Sequence, residues 1–374
     1  MSLDPASAVN TVTEETVAPQ AQSVDSTGQF PRAGVEALGR SGLLGLLSSP
    51  DVGGAGGSLA DAAGVIERLA TACGSTAMVT LMHYAAVALI EAHGDEDTRR
   101  AIAGGRHLST LAFSETGSRS HFWAPLSTAT SNGNGRVRLD AEKSWVTSAG
   151  EADSYVWSSR PVAADGPMTL WLVPSDTAGL TVRGRFDGLG LRGNASNPVS
   201  AESVDVPASA RLGDDGAGLD LALATALPTF LVLNAAFSLG LMQGMIDTAA
   251  AHLTRTRLAH LDQTLAEQPA QRVEFARLST RVDETRAFVA DTLAALGSGR
   301  DDATLRVLQV KAVAAEAASD VADGVMRLCG GSAFRKENGV ERPFRDALAA
   351  RVMAPTTEAL RDFVGRARLG QPLF

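Results

Sequence analysis

The spacing of hydrophobic positions changes twice along the chain and divides it into three zones. Between about residues 31 and 105, apolar residues recur at helical spacing, and residues 62–90 are rich in alanine, leucine and methionine. Between about residues 109 and 210, short runs of β-type residues alternate with turn signals rich in glycine and asparagine. Beyond residue 219 long apolar segments return, so the order of the zones is helical, β and helical.

The third zone contains four segments that are each long enough to cross a helical bundle: 219–253, 273–296, 303–329 and 341–368. The pattern therefore predicts an α+β fold that is mainly α, with an N-terminal helical domain, a middle antiparallel β-domain and a C-terminal four-helix bundle. We place these domains at residues 1–108, 109–213 and 214–374. Residues 1–26 are polar, and we expect them to be disordered.

Composition and charge narrow the class of protein. With 374 residues, of which 45% are hydrophobic and 20% charged, the chain is typical of a globular protein with a large core. A formal net charge of −9 disfavours binding to nucleic acid, because an acidic surface repels phosphate. The two cysteines, Cys73 and Cys329, lack the spacing of a disulfide framework or a metal site, so we expect neither.

Residues 221–246 carry no charged side chain and must be weighed as a membrane span. The segment contains Pro228, Asn234 and Gln243 and has no second segment like it, which favours a buried helix in a large bundle. The polar N-terminus has no apolar stretch typical of a signal peptide. We therefore expect a cytoplasmic protein without a membrane partner.

Three further features have both a structural and a functional interpretation. His83 is either a satisfied helix-face histidine, which is the favoured interpretation, or a titratable group that faces a cofactor cavity. Trp145 is either a core tryptophan or an aromatic wall beside a flat ring system, with the Thr147 hydroxyl as a hydrogen-bond partner. Gly330 and Gly331 form either a plain helix C-cap or a close approach to a bound pyrophosphate or adenine.

Five motifs together resemble those of the acyl-CoA dehydrogenase family, and the resemblance spans about residues 29–369. The motifs read SETGSRS (114–120), EKSWVTS (142–148), GLGLRG followed by VDVP (188–193 and 204–207), LCGG (328–331) and RD (345–346). They resemble, in the same order, the family patterns TEPGAGS, GxKxWITN, GxRG with DVxVP, QxxGGxG and RD. One such motif is weakly specific, whereas five in the correct order are strongly specific.

The resemblance implies the same three-domain fold, a homo-oligomer (dimer or tetramer), and FAD bound between the β-domain and the C-terminal bundle. The residues that it implies for FAD are Ser114 and Ser120 on the flavin and pyrophosphate side, Trp145 and Thr147 at the isoalloxazine, Arg255 from a neighbouring subunit, Gly330 and Gly331 at the adenine turn, and Thr356 after the catalytic loop. The implied substrate is an acyl thioester, carried by CoA or a carrier protein. It loses an α-proton to a glutamate and a β-hydride to the flavin.

The chain departs from the family pattern at both known positions of that glutamate. Counted from the RD arginine, the first position holds Ala354, and the second, in the first long helix of the C-terminal zone, holds Phe230. Neither side chain can act as a base. Glu358 lies one helical turn beyond Ala354 and is interpreted first as a solvent-facing residue. Arg327 in place of the motif glutamine, and LAH at 258–260 in place of FGK, depart from the FAD-binding pattern.

Three functions stay open. The favoured one is an FAD-dependent oxidoreductase that acts on an acyl thioester with an unusual base or none, and that passes electrons to an acceptor. The second is a flavin-dependent monooxygenase, which takes reduced FAD or FMN from a partner reductase and often uses a histidine near the flavin. His83 is the candidate for that histidine, but no histidine follows His260, where such relatives carry a second one. The third is a non-catalytic member that keeps the fold.

Overall fold

The computed structural model describes residues 3–118 and 121–373. The N-terminal domain consists of helices α1 (Pro5–Val12), α2 (Ala18–Thr27), α3 (Arg32–Arg40), α4 (Leu59–Ala72), α5 (Gly74–His93) and α6 (Glu96–Ala103). Helix α4 begins at a capping box, in which Ser58 and Asp61 each accept the other's backbone N–H. Helix α5 is the centre of the domain, because nearly every side chain between Gly74 and Ile90 is buried.

The expected disorder before residue 27 is wrong, because α1, a π-helical turn (Thr13–Val17) and α2 form one continuous helical rod. The buried apolar positions of this rod are Val9, Val12, Val17, Ala21 and Val24. They are three or four residues apart, except for the five-residue step from Val12 to Val17. The π turn accommodates that step because it closes hydrogen bonds five residues apart. The apolar stripe is thus helical but interrupted, which hid it within a polar sequence.

The middle domain consists of two four-stranded sheets, with strand orders β1-β4-β5-β8 and β2-β3-β7-β6. The strands are β1 (Ser109–Ala112), β2 (Thr128–Gly133), β3 (Arg136–Val146), β4 (Ser154–Ser159), β5 (Thr169–Pro174), β6 (Leu180–Val182), β7 (Asn197–Pro207) and β8 (Arg211–Leu212). Trp157 and Trp171 lie opposite each other in register and are fully buried between neighbouring strands.

One strand pair differs from the predicted antiparallel domain, because β1 pairs with β4 in parallel. The chain between these two strands forms β2 and β3, which belong to the other sheet. This long excursion supplies the crossover that a parallel pair needs. The other strand pairs of the described sheets are antiparallel.

The C-terminal domain confirms the predicted helical bundle. It consists of α7 (Gly218–Leu221), a π turn (Ala222–Ala226), α8 (Leu227–Arg255), the short strands β9 (Arg257–Leu258) and β10 (Gln263–Thr264), α9 (Pro269–Ser298), α10 (Ala303–Cys329), α11 (Glu341–Val352) and α12 (Thr357–Arg368). The predicted fourth helix is divided into α11 and α12. It breaks because Pro355 has no backbone N–H, and because the Thr356 hydroxyl caps α12 by accepting the Ala359 N–H.

Two helical segments, Gly74–His93 and Gly218–Arg255, are long and apolar enough to cross a membrane by length and composition, so the expectation that residues 221–246 have no counterpart is wrong. In the folded chain, 78% and 67% of their most apolar windows are buried. Packing against other helices accounts for this composition, as the interpretation of residues 221–246 as a buried bundle helix requires.

A buried ion pair ties the loop after β1 to strand β3. Lys143 Nζ lies 2.6 Å from Glu115 Oε1, and it donates to the backbone oxygen and the hydroxyl of Ser158 at 2.7 and 2.9 Å. Glu115 also accepts the backbone N–H of Ser127 at 3.2 Å. Burial raises the pKa of Glu115, but Lys143 and the hydrogen bonds outweigh it and hold this pKa below its ordinary value. All three N–H donors of the ammonium are therefore satisfied.

Lys143→Met removes the cation and leaves the Glu115 carboxylate buried. We expect the free energy of unfolding, measured by urea denaturation, to fall by about 3–5 kcal/mol, because an uncompensated buried charge is costly. Lys336→Met on the exposed surface serves as the control and should change it by less than about 0.5 kcal/mol. The double variant Lys143→Met/Glu115→Gln should recover part of the loss. An equal loss in the single and double variants would contradict this account.

Candidate active site

A cleft of about 1190 Å³ opens between the β-domain, helix α5 and the C-terminal bundle. Its described lining residues are Met78, Met82, Ser114, Trp145, Thr147, Phe186, Gly190, Leu191, Asn194, Ser196, Phe230, Ala349, Val352, Met353 and Ala354. A smaller chamber adjoins it and shares with it Met82, Ser114, Trp145, Phe230 and Ala354. The two spaces therefore form one continuous site between the domains.

Trp145 lies in this cleft because of an irregularity in strand β3. The pairing of β3 with β7 shifts between Lys143 and Val146, and such a bulge redirects a side chain. The backbone of Trp145 has a φ of 56°, its surface is 70% exposed, and its ring centroid lies 6.5 Å from that of Phe186. The interpretation of Trp145 as a core tryptophan is therefore wrong, and its indole lines the cleft.

Backbone strain is concentrated around the cleft. Besides Trp145, the non-glycine residues Ser148, Leu191 and Ala195 have φ values of 61°, 52° and 50°. Leu191 lines the cleft, and Ala195 lies between two residues that do. Left-handed backbone in such residues persists only where the surroundings enforce it, and it is enriched at functional sites.

Hydroxyl and amide groups form a polar edge of the cleft. Thr147 Oγ1 lies 3.2 Å from Ser196 Oγ, and Asn194 Oδ1 accepts the Ser196 backbone N–H at 3.1 Å. The part of the lining that α5 contributes is apolar, with the thioethers of Met78 and Met82. The cleft therefore suits a flat ligand that has one hydrogen-bonding edge and apolar faces.

The wall formed by residues 188–193 is fixed to helix α11. The Asp346 carboxylate accepts the Leu191 N–H at 2.6 Å, and the Arg345 guanidinium binds the Asp25 carboxylate at 2.6 and 3.0 Å. Burial raises the pKa of Asp346 to about 6. A side chain at Gly190 would place its Cβ 2.6 Å from the Arg345 carbonyl oxygen, so only glycine fits there. The GLGLRG and RD motifs therefore act together to position this wall.

Ala354 and Phe230, the two positions where a glutamate was expected, both line the cleft and the chamber. The π turn before α8 contributes Ala222 and Ala226 to the chamber, whose other contacts include Leu111, Phe113, Phe122, Leu227 and Pro355. No described residue that lines the cleft or the chamber has an ionisable side chain. Glu358 is exposed on α12, outside this lining, in agreement with its interpretation as a solvent-facing residue.

His83 does not face the cleft, so its interpretation as a catalytic candidate is wrong. Its ring is fully buried, with Nε2 3.0 Å from the Leu44 carbonyl oxygen and Nδ1 accepting the Ser109 N–H at 3.1 Å. Burial lowers its pKa to about 4, so the ring is neutral near pH 7. Both ring nitrogens are satisfied by backbone groups, and His83 links α5 to β1.

The other residues predicted to bind FAD are distributed unevenly. Ser114 and Thr147 line the cleft beside Trp145, whereas Ser120 lies outside the described residues. The remaining four lie outside the lining: Arg255, Gly330 and Gly331 are exposed, and the Thr356 hydroxyl caps α12. Their contacts with FAD, which for Arg255 involve a neighbouring subunit, stay predictions.

The sequence analysis missed many of the lining residues, among them Met78, Met82, Phe186, Asn194 and Ser196. The two methionines are four residues apart and therefore lie on one face of α5, next to the histidine that drew attention instead. Asn194 and Ser196 directly follow the GLGLRG motif. The shared helix face of the two methionines, and the location of Asn194 and Ser196 just after the motif, were the features of the sequence that could have identified these residues.

Comparison with known proteins agrees with this geometry. Three family models match in order: "Acyl-CoA dehydrogenase, N-terminal domain" over residues 5–104, "middle domain" over 110–204 and "C-terminal domain" over 216–369. The probable acyl-CoA dehydrogenase YngJ of Bacillus subtilis (strain 168) is 30% identical over 361 residues, which cover 94% of this chain and 93% of that protein. The chain belongs to the acyl-CoA dehydrogenase family.

More distant members of the acyl-CoA dehydrogenase family match over similar lengths. Cyclohex-1-ene-1-carbonyl-CoA dehydrogenase of Geobacter metallireducens is 28% identical, with 96% of each chain covered. The structure of butyryl-CoA dehydrogenase from Megasphaera elsdenii superimposes with a TM-score of 0.92 at 21% identity, covering 98% of this chain and 97% of that one. The prolyl acyl carrier protein oxidase AnaB gives 0.88 at 17% identity, with 97% of each chain covered. At these identities the two structures show the shared fold.

Acyl-CoA dehydrogenases are flavin-dependent oxidoreductases that bind FAD, and the described lining of the cleft suits the ring system of that cofactor. Trp145, Met78 and Met82 supply apolar and aromatic surface for a ring system, and Thr147 and Ser196 supply hydroxyls for its polar edge. The comparisons give no support to FMN, the alternative expected for a monooxygenase.

The buried position of His83 predicts a pH dependence of stability. Its pKa falls from an ordinary 6.5 to about 4 on folding, so between these values the folded state binds fewer protons than the unfolded state. Stability should therefore fall as the pH drops through this window, by about 3 kcal/mol in total from this group. Urea unfolding at pH 7 and pH 4 measures the difference.

His83→Gln, which lacks the titrating ring, should reduce the change in unfolding free energy between the two pH values. His260→Gln on the exposed surface serves as the control and should leave it unchanged. If His83→Gln shows the full dependence of the parent protein, His83 does not titrate on unfolding as described.

Proposed function

We propose that this protein is an FAD-dependent oxidoreductase that acts on an acyl thioester without a carboxylate base from its own cleft. One observation carries the proposal: Ala354 and Phe230 occupy the two positions of the family's glutamate, and the described lining around them contains no ionisable side chain. Membership in the acyl-CoA dehydrogenase family supports the reaction class and the cofactor.

The acyl group of the substrate fits the apolar chamber. Leu111, Phe113, Phe122 and Leu227 present hydrocarbon there, and burial of each CH₂ group contributes about 0.8 kcal/mol to binding. Phe230 lines both the chamber and the cleft, and its ring restricts the space where a long chain would continue. We therefore propose a short or compact apolar acyl group, on CoA or on a carrier protein.

Removal of an α-proton requires a base of suitable pKa within hydrogen-bond reach. Bound FAD supplies the two-electron acceptor, but neither Ala354 nor Phe230 can take the proton. Because the described lining offers no base, we propose that the base comes with the substrate or from water that enters the cleft. A substrate that carries its own proton acceptor near the α-carbon satisfies this requirement.

The monooxygenase alternative loses its main residue support, because His83 is buried behind the cleft and hydrogen-bonded to backbone on both nitrogens. Oxygen consumption with reduced flavin supplied, together with no reduction of the bound flavin by any acyl thioester, would favour it over our proposal. Turnover of any substrate by the purified protein would exclude the non-catalytic alternative.

The exposed cofactor candidates support a homo-oligomer as part of the proposal. Arg255 and Gly330 lie on the surface of the single chain, and Phe334 beside Gly330 is 82% exposed. An exposed side chain at position 255 can reach a neighbouring subunit, as the family resemblance implies for the FAD contact of Arg255. Light scattering of the purified protein measures the oligomeric state.

The direct test is an absorbance spectrum of the purified protein, followed by anaerobic titration with acyl-CoAs of increasing chain length. We expect a visible flavin band, and perturbation of this band by short or branched acyl-CoAs at lower concentration than by long ones. A colourless protein that takes up no FAD would contradict the proposal.

Ala354→Glu restores a carboxylate to the cleft. We expect the rate at which an ordinary saturated acyl-CoA bleaches the flavin band to rise by about 10²–10⁴-fold, which is the usual contribution of a positioned base. Ala354→Gln is the matched control, because it has the same size and no basic oxygen. Equal rates for the two variants would show that the missing carboxylate at this position does not limit the reaction.

A further inference from the structure

Residues 353–356, which we call the 353–356 loop, separate α11 from α12 and form part of the cleft. Met353 and Ala354 line the cleft, and Ala354 and Pro355 line the adjoining chamber. The conformation of this short segment therefore sets where Ala354 faces the site. No residue of the loop belongs to a helix or strand, so its position depends on contacts from neighbouring elements.

Lys311 of helix α10 makes such a contact from behind the loop. Its side chain is fully buried, and Nζ donates to the carbonyl oxygens of Met353 and Pro355, each at 2.8 Å. These carbonyls belong to the residues immediately before and after Ala354. One ammonium group thus holds the backbone on both sides of the residue that faces the cleft.

We infer that Lys311 is a positioning residue, which fixes the 353–356 loop and thereby the wall of the cleft at Ala354. It contributes no atom to the described lining of the cleft or the chamber, so it acts through the loop. Its relevance to catalysis rests on the function proposed above. The hydrogen bonds from Lys311 to the loop are a property of the folded chain and need neither cofactor nor substrate.

Two other helices contact the same loop but leave the carbonyls of Met353 and Pro355 to Lys311, while the Thr356 carbonyl accepts the Leu360 N–H of α12. Asn234 Nδ2 of α8 lies 3.6 Å from Met353 Sδ, a contact weaker than one to oxygen, and Thr356 caps α12. Lys311 supplies the strong hydrogen bonds, because its amine donates to two carbonyl oxygens at 2.8 Å. Among these contacts its removal should therefore free the loop most.

The environment of Lys311 differs from that of the other buried lysine, Lys143, whose ammonium contacts a carboxylate. Burial lowers the pKa of Lys311 to about 7, and Glu358, which acts through space, opposes that shift. Both forms of the amine carry at least two N–H donors, so either can satisfy two carbonyls. Hydrogen bonding, and not an ion pair, therefore explains the position of the Lys311 amine against the loop.

A cysteine at position 354 reports the state of the loop directly. The two native cysteines, Cys73 and Cys329, are buried, so an Ala354→Cys protein offers one thiol at the cleft to a small alkylating reagent such as iodoacetamide. The alkylation rate is measured against pH up to the plateau, by mass spectrometry of the intact protein. The plateau rate reports access to residue 354, and the midpoint reports the charge near it.

Lys311→Met in this background should raise the plateau rate by at least about tenfold, because the two freed carbonyls release the loop. Lys311→Arg keeps the charge and the donors and should stay within threefold of the parent. Lys311→Gln, which keeps an amide donor on a shorter side chain, replaces the methionine variant if that protein does not fold. Val321→Ala is the matched control, since Val321 is equally buried in the same helix but lies almost three turns away.

Acceleration with Lys311→Met, its restoration by arginine and an unchanged Val321→Ala protein support the inference. It is overturned if Lys311→Met leaves the plateau rate unchanged, or if Val321→Ala raises it equally, since that would show general loosening of the bundle. The assay needs no FAD. If the protein takes up no FAD but Lys311→Met still accelerates alkylation at position 354, the proposed function is wrong and the positioning role of Lys311 stands.

Discussion

A charged group that is buried must replace its lost hydration with hydrogen bonds or ion pairs inside the protein. This constraint determines where buried charges lie in the molecule. Lys143 and Glu115 recover the lost hydration from each other and from Ser158, while Lys311 recovers it from two carbonyls of the 353–356 loop. Asp346 recovers part of it from the Leu191 N–H. All these groups stand behind walls of the cleft. The walls are thus fixed by buried ionisable groups and their hydrogen bonds, although the described lining that they support has no ionisable side chain.

The large divisions of the fold were readable from the sequence, because the period of apolar residues changes wherever the chain passes between helical and β zones. Local irregularities were not readable. The π turn at Thr13–Val17 displaces the apolar stripe by one residue and made a helical rod look polar. The break at Pro355 divides a helix whose pattern runs on, and the parallel pairing of β1 with β4 depends on sheet contacts between distant segments.

The site was predictable only as far as its motifs. Ser114, Trp145 and Thr147 meet in one cleft, and the alanine and phenylalanine at the glutamate positions meet there too. His83 has the right residue type and the right helix, but its neighbours Met78 and Met82 face the cleft in its place. Side-chain direction follows from packing between domains, which one sequence does not express. The family fold is therefore kept while the chemistry of its centre differs, as expected where one fold hosts several reactions.

Only three lysines occur among 33 basic side chains, and burial of Lys143 and Lys311 leaves Lys336 as the exposed one. A reagent that couples to amines, such as a biotin ester or an activated resin, would therefore find one exposed lysine, between α10 and α11, in addition to the α-amino group of the chain. That lysine lies outside the lining of the cleft. Coupling at Lys336 would therefore immobilise the molecule in a defined orientation and leave the cleft unmodified.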